Sequence, residues 1–451
     1  MARLWSRRRF LAGSGAAGLA AIAFPRIARG LGANDKLAVA CVGVGGMGWT
    51  DLHAVARSPR VSIAALCDID AERLARAARA FPGARTYVDW RELFAKDGAA
   101  VDAVAIATPD HMHAPIAMTA LRAGKHVYCQ KPLAHDVYEA RRLAAAAAGA
   151  KAVTQMGIQH SSRSANRGAV QLIHEGAIGK VREVHLWSNK PPERYRPTGP
   201  RPAAVDPVPA GVAWDLWLGT APARPFAADT YHPTWWRGWQ DFGTGWLGDM
   251  GCHIWAAPYM ALRLQAPLSV KAQVEPAWAA APARRSETWP TWEIVQYEFP
   301  GTDLTAGKTI KIVWSDGGKY PRRRVKLVLG GKDFPTQGAL FLGEDGALLL
   351  PHGGDAKLLP EKKFKDRGMP APPPADHYLA WVDACRGGGA TIAPFERSGP
   401  LAEIVLLGTV ALRCPGETLL WDGPAMQVTN IADANAFLKR SYRAGWEVEG
   451  L

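Results

Sequence analysis

The stretch that most constrains this chain is residues 39–48, Val-Ala-Cys-Val-Gly-Val-Gly-Gly-Met-Gly. Small and β-branched residues run straight into Gly43-x-Gly45-x-x-Gly48, and helix-compatible sequence follows from about residue 49. A buried strand, a tight glycine turn and a helix N-terminus, in that order, make a site for a pyrophosphate. The first glycine permits the turn, the second lets the backbone approach the phosphates, and the third lets helix and strand pack closely. The helix start adds free N–H groups and a partial positive charge. In a chain with 46 glycines the same spacing also arises in ordinary loops, so the neighbouring sequence has to decide.

It does so by alternation. Residues 49–58 read as a helix and 61–67 as a second buried strand. Asp68 then falls 20 residues after Gly48, where a dinucleotide fold places the acid that holds the adenosine ribose hydroxyls. An acid there repels a 2′-phosphate, and position 69 is Ile rather than Arg or Lys, so NAD is favoured over NADP. Asp70 reads as the N-cap of a helix over 71–80. A third strand over 101–107 ends in Thr108-Pro109-Asp110-His111-Met112-His113. A helix follows over 114–123, then a strand over 125–129 ending at Gln130-Lys131-Pro132. Strands alternating with helices of this length imply a doubly wound parallel sheet over residues 35–154. Loops at the carboxyl ends of such strands face the cofactor crevice, which places His111, His113 and Lys131 on its rim. His111-x-His113 has no third ligand beside it, so it reads as a loop next to the nicotinamide rather than a metal site.

The glycine turn, Asp68, the Thr108-Pro109-Asp110-His111-x-His113 loop and the Lys131-Pro132 pair together resemble the Gfo/Idh/MocA family (glucose–fructose oxidoreductase, inositol dehydrogenase and rhizopine catabolism). The resemblance runs from about residue 36 to the C-terminus. It implies that Gly43, Gly45, Gly46, Met47, Gly48, Asp68, Thr108, Pro109, His113, Gln130 and Lys131 hold NAD. It also makes Lys131 a proton relay and oxyanion stabiliser, its pKa depressed by burial and by oxidised nicotinamide. The family usually has Glu-Lys-Pro where this chain has Gln130-Lys131-Pro132. The lysine is kept and a carboxylate is lost, which leaves open what orients the lysine.

A second domain is expected over 155–448, an α+β unit with a mainly antiparallel sheet. Residues 166–176 have the spacing of an amphipathic helix, and 181–187 read as a strand. Residues 191–209 hold seven prolines and form a long loop, either a lid or an arm on a neighbouring subunit. Further strands are expected over 292–299, 309–314 and 324–329, with a hairpin at 339–350. Helices are expected over 376–386 and 400–413, with a tail near 435–442 folding back onto the first domain. Asp249 and His253 lie four apart, on one face of a helix that Pro258 should kink just beyond His253. The Asp-x-x-x-His spacing after a glycine-rich turn matches the family motif. By resemblance His253 is the general base or acid, and Asp249 positions the substrate hydroxyl or the imidazole. Trp236 and Arg237 are expected to touch a sugar ring, although Trp235, Trp236 and Trp239 read equally well as core.

Residues 1–33 read as an export signal. Arg3 and Arg7–Arg9 precede an apolar stretch over 10–24 that is too short to span a bilayer. Ser6-Arg7-Arg8-Arg9-Phe10-Leu11 resembles a twin-arginine signal, which implies the twin-arginine export machinery as a partner and a periplasmic location. Removing its six arginines lowers the net charge from +13 to +7, a mildly basic surface and not a nucleic-acid footprint. The six cysteines show no metal or disulfide spacing and read as small core residues.

The expectation is an NAD(P)-dependent oxidoreductase, with NAD favoured, acting on a secondary hydroxyl of a sugar, glycoside or cyclitol, as a homo-oligomer (dimer or tetramer). A periplasmic enzyme has no free nucleotide pool, so the cofactor should stay bound between turnovers. Two alternatives remain open. One is an NAD-dependent glycosidase working by transient oxidation and elimination, and the other is a non-catalytic NAD- and sugar-binding protein.

Overall fold

The molecule, known from a computed structural model, is described over residues 36–190, 199–203 and 205–451. The export-signal reading of residues 1–33 and part of the proline-rich loop, 191–198, lie outside the described residues.

The first sheet is built by β1 (Leu37–Val42), α1 (Met47–Ala56), β2 (Val61–Cys67), α2 (Ala71–Ala80), β3 (Arg85–Tyr87), α3 (Trp90–Asp97), β4 (Ala103–Ile106), α4 (His113–Arg122), β5 (His126–Gln130), α5 (Val137–Gly149) and β6 (Thr154–Gly157). All six strands are parallel, in the order β3-β2-β1-β4-β5-β6. Helices cover both faces, so β4 is buried along its whole length. Asp70, Asp89 and Asp136 start α2, α3 and α5, each carboxylate accepting from N–H groups of the first turn. Strand order reverses between β1 and β4, and the crevice at their carboxyl ends is the topological switch point where such sheets bind ligands.

The second half contributes α6 (Ser164–His174), β7 (Val181–Ser188), α7 (Trp214–Leu218), α8 (Gly245–Ala261), β8 (Ser269–Val274), α9 (Pro276–Ala279), α10 (Pro282–Arg285), β9 (Glu293–Pro300) and β10 (Thr309–Asp316). It continues with α11 (Arg323–Lys326), β11 (Gln337–Gly343), β12 (Ala347–Pro351), β13 (Lys357–Leu359), α12 (His377–Cys385), α13 (Phe395–Arg413), β14 (Thr418–Asp422) and β15 (Gln427–Val428). The sheet order is β13-β12-β11-β7-β10-β9-β8-β14-β15, antiparallel except between β7 and β10. Alternate residues of β9 are buried, the pattern of a sheet with one face on a core. That core is shared by the two sheets: one apolar cluster runs from Ile106 and Val127 through Leu247 and Trp255 of α8 to Val295 and Trp314. The architecture is thus a Rossmann sheet followed by an α/β lobe with a mainly antiparallel sheet.

Several local expectations change. Residues 324–329 are not a strand: α11 and a 3₁₀ turn, Leu327–Leu329, occupy them, ending at Gly330 in the left-handed region. Six residues of alternating polarity are too few to separate the two periodicities. Pro258, expected to kink the helix just beyond His253, lies inside α8, which runs on to Ala261. Helix α1 begins at Met47, inside the glycine motif. The tail does return to the first sheet's layer: Tyr138 N–H donates to the Leu438 carbonyl, and Arg440 pairs with Glu139.

Candidate active site

A cavity of about 550 Å³ opens at the switch point. Gly43, Gly45, Gly46 and Met47 line it from the turn, and Asp68 lines it from the end of β2. Gly43 has φ +80°, and a Cβ there would sit 2.8 Å from the Ala107 carbonyl. Gly48 does not line the cavity. A Cβ on it would collide with the Gly43 carbonyl oxygen, so it serves the close packing of α1 on β1. Asp68 Oδ2 accepts from Val44 N–H at 2.8 Å and Gly45 N–H at 3.2 Å, while its Oδ1 accepts from Asp70 N–H. The acid therefore holds the glycine turn in shape as well as facing the cavity. Burial raises its pKa, opposed by those backbone donors and by Arg73.

Thr108, Pro109, His113 and Gln130 continue the wall. His113 is buried with Nδ1 against the Pro132 carbonyl (2.7 Å) and Nε2 against the Thr108 carbonyl (2.8 Å), so it ties two crevice loops together. His111 does not reach the rim. It is fully buried with Nε2 on the Trp217 carbonyl, because Asp110–Met112 forms a 3₁₀ turn that rotates it inward. Asp110 accepts from both Thr244 N–H and Thr244 Oγ1, pinning this loop to the start of α8.

Lys131, Trp236, Arg237, Asp249 and His253 complete the cavity. Lys131 Nζ donates to Asp249 Oδ1 at 2.6 Å and to the Asp249 carbonyl at 2.7 Å. Lys190, just past β7, reaches Asp249 Oδ2 at 3.2 Å, and Arg237 Nε reaches Oδ1 at 3.3 Å. Burial alone would raise the Asp249 pKa, but Lys131, Arg237 and Lys190 outweigh it and hold the carboxyl well below its ordinary value. Asp249 is ionised. The sequence left open whether it orients the His253 imidazole or the substrate, and the structure ties it to Lys131 instead. His253 Nδ1 has no hydrogen-bond partner among the described residues. Burial, reinforced by Lys131, His352 and His160, holds its pKa well below the usual value, so the ring is neutral.

The tryptophan cluster divides. Trp236 lines the cavity with the Arg237 guanidinium over its ring at 4.1 Å, whereas Trp239 is core. Lys190, His232 and Asp51 escaped the sequence reading. Lys190 resembles any lysine at a strand end. His232 meets Asp70 across 162 residues of chain, and Asp51 looks like an ordinary polar helix position.

Gly43 and Gly48 leave no room for side chains, α1 starts beside the cavity, and an acid closes β2, so these residues fit a dinucleotide. A family model described as an oxidoreductase family with an NAD-binding Rossmann fold matches residues 37–158, and the model of that family's C-terminal alpha/beta domain matches 193–448. The chain belongs to the Gfo/Idh/MocA oxidoreductase family.

Individual members of the Gfo/Idh/MocA family are similar over shorter stretches. A levoglucosan dehydrogenase of Pseudarthrobacter phenanthrenivorans is 35% identical over 28% of this chain and 33% of its own. An inositol 2-dehydrogenase of Rubrobacter xylanophilus is 34% identical over 33% of this chain and 42% of its own. A glycosyl hydrolase family 109 protein of Saccharopolyspora erythraea is 31% identical over 33% and 34%. The chain thus matches under half the length of these relatives. The fold extends further: the WlbA dehydrogenase of Bordetella pertussis, solved with NADH and UDP-GlcNAcA, aligns over 86% of this chain and 99% of its own, with a TM-score of 0.60 at 19% identity. The aldose–aldose oxidoreductase of Caulobacter crescentus aligns over 86% and 100%, with a TM-score of 0.53 at 19% identity.

Proposed function

We propose that this Gfo/Idh/MocA protein oxidises a secondary hydroxyl of a sugar, glycoside or cyclitol, using an NAD that stays bound between turnovers. The observation that carries the reading is the meeting of Lys131, from the Rossmann sheet, with Asp249, from α8, in the cavity that the glycine turn lines. NAD would be held by Gly43, Gly45, Gly46, Met47, Asp68, Thr108, Pro109 and Gln130, and when bound it supplies the hydride acceptor. The Lys131 ammonium would donate to the substrate oxygen and stabilise charge building there. Neutral His253 would take the hydroxyl proton. Ionised Asp249 holds the lysine in place, and Trp236 with Arg237 offers a flat apolar face and a donor for a ring. The names of the levoglucosan and inositol dehydrogenases support a cyclic polyol substrate.

Retention of the nucleotide is supported by a clamp from the second half of the chain. Residues 211–213 pair with Ile69–Ala71 through an isolated bridge, Asp70 with Val212, and His232 Nε2 lies 3.3 Å from Asp70 Oδ2. A bound cofactor suits a periplasmic location, which we propose from the twin-arginine-like start of the chain.

A second reading, an NAD-dependent glycosidase, is favoured by the likeness to a glycosyl hydrolase family 109 protein. One experiment separates these and the non-catalytic reading. Mass spectrometry identifies the copurifying dinucleotide, and the protein is then offered polyols, sugars and aryl glycosides. Reduced nucleotide without phenol supports the oxidoreductase. Phenol released without net reduced nucleotide supports the glycosidase. A bound dinucleotide with no product from any compound supports the binding protein.

A further inference from the structure

Helix α1 carries a buried carboxylate that none of the roles above uses. Asp51 is 2% exposed, in the helix that opens at the glycine turn. Gln130 Nε2 donates to both of its oxygens, at 3.0 and 2.8 Å, and Tyr378 OH donates to Oδ1 at 2.7 Å. Both donor groups are neutral. Among the described residues no Lys, Arg or His forms an ion pair with it, and no cation contributes to its titration. An ionised group so placed lacks a counter-charge.

Gln130 is the last residue of β5, precedes Lys131, and lines the nucleotide cavity. Its amide lies flat on Gly157, where a Cβ would come within 2.7 Å of Gln130 Cδ, so the side chain has one place to go. With its NH₂ group committed to a carboxylate, the atom it can present elsewhere is the carbonyl oxygen Oε1, an acceptor.

We infer that Asp51 is a positioning residue that keys Gln130 as an acceptor and places a negative charge behind the nicotinamide site, so that the protein favours oxidised over reduced nucleotide. The carboxylate missing from position 130 is supplied from one layer further back. Oxidised nicotinamide is cationic and the reduced ring is neutral, so a buried anion nearby discriminates between them. Burial pushes the Asp51 pKa up to about 6 against the pull of Tyr378 and Gln130, which brings the charge into a range that pH can switch. The other titratable groups facing it are Cys41 from β1, Tyr128 and Cys129 from β5, and Tyr378 from α12. Burial and the Asp51 charge raise all four, so none ionises between about pH 5 and pH 8.

The test incubates purified protein with equal concentrations of NAD⁺ and NADH until its own nucleotide has been replaced, and measures the bound ratio after rapid gel filtration. Asp51→Asn should lower the bound NAD⁺:NADH ratio about tenfold, the equivalent of one pKa unit. The ratio in the unaltered protein should rise with pH through about pH 6, and that dependence should be lost in Asp51→Asn. Asp51→Asn combined with Gln130→Glu returns the carboxylate to the pair and should restore the ratio. Tyr378→Phe removes a donor from Asp51 and should move the transition to higher pH, a result that stands even if Asp51→Asn fails to fold. An unchanged ratio in folded Asp51→Asn, or a double variant that behaves like Asp51→Asn, overturns the inference. Unaltered protein that neither carries a copurified dinucleotide nor takes up either added one overturns the cavity assignment itself, and this inference with it.

Discussion

Lys131 Nζ touches both the carboxylate and the backbone carbonyl of Asp249, although 118 residues separate them in the chain. The contact fixes the ammonium against the first half of α8 and makes the lysine and the helix one unit. Lys131→Met should lower kcat about 10²–10⁴-fold on whichever substrate turns over, with nucleotide content unchanged. Asp249→Asn should be comparably slow and should also loosen the site, because Lys131, Lys190 and Arg237 would then face one another around a neutral amide. Steady-state kinetics with parallel nucleotide quantification checks both.

His253 is held neutral by burial and by its neighbours Lys131, His352 and His160. A histidine whose folded pKa is depressed stays unprotonated as pH falls through the ordinary imidazole value. The acid limb of kcat attributable to His253 should therefore lie well below about pH 6.5, the usual histidine midpoint. A pH–rate profile of the native protein against His253→Ala, which should be slow throughout, tests this.

Asp68 grips Val44 and Gly45 N–H, so its loss should act on the turn as well as on the ribose. Asp68→Ala leaves two turn donors without their acceptor, at a cost of about 1–3 kcal/mol. NAD affinity should fall by at least about tenfold, and discrimination against NADP should narrow. Titrations with both reduced nucleotides, followed by fluorescence, measure each effect.

The Rossmann half was legible because its signals are local. The glycine turn, the acid 20 residues on and the strand–helix alternation all lie within one stretch of chain. Lys131 and Asp249 were legible as motif positions, but their contact was not, since it depends on how α8 meets the end of β5. Lys190, Tyr378 and His232 were invisible for the same reason: each reaches its partner through topology rather than spacing. His111 misled because its position in a crevice loop says nothing of the 3₁₀ turn that points it inward. Residues 324–329 misled because a short alternation between a proline and two glycines fits a helical turn as well as a strand.

Glu293 and Asp316 form a fully buried acid pair at neighbouring edges of β9 and β10. Burial and the Asp316 charge hold Glu293 well above its usual pKa, and burial raises Asp316 to about 7 despite the Trp314 indole N–H on Oδ2. The folded protein thus binds more protons here than the unfolded chain. The stability these groups lend is full at low pH and is lost as pH rises from about 4, the unfolded value, through about 7. Glu293→Gln should raise Tm by about 1–3 °C at alkaline pH and make little difference near the unfolded carboxylate pKa. Thermal melts on either side of neutrality decide it.

The clamp makes the most direct prediction about cofactor retention. Asp70 does two jobs: it caps α2 through Glu72 and Arg73 N–H, and it holds His232 and Arg73 at the mouth of the nucleotide cavity. Burial and Arg73 keep His232 below its ordinary pKa, so the contact is a hydrogen bond from a neutral ring to the carboxylate and should hold through neutral pH. His232→Ala removes the clasp without touching the cap or the glycine turn. It should speed nucleotide release about tenfold, as the loss of one hydrogen bond to a charged group allows, while Tm in the nucleotide-free state changes little. Asp70→Ala should do both harms, releasing nucleotide faster and fraying α2. Dialysis followed by quantification of the remaining dinucleotide measures release. If the native protein loses its nucleotide as fast as His232→Ala does, the clasp has no role in retention.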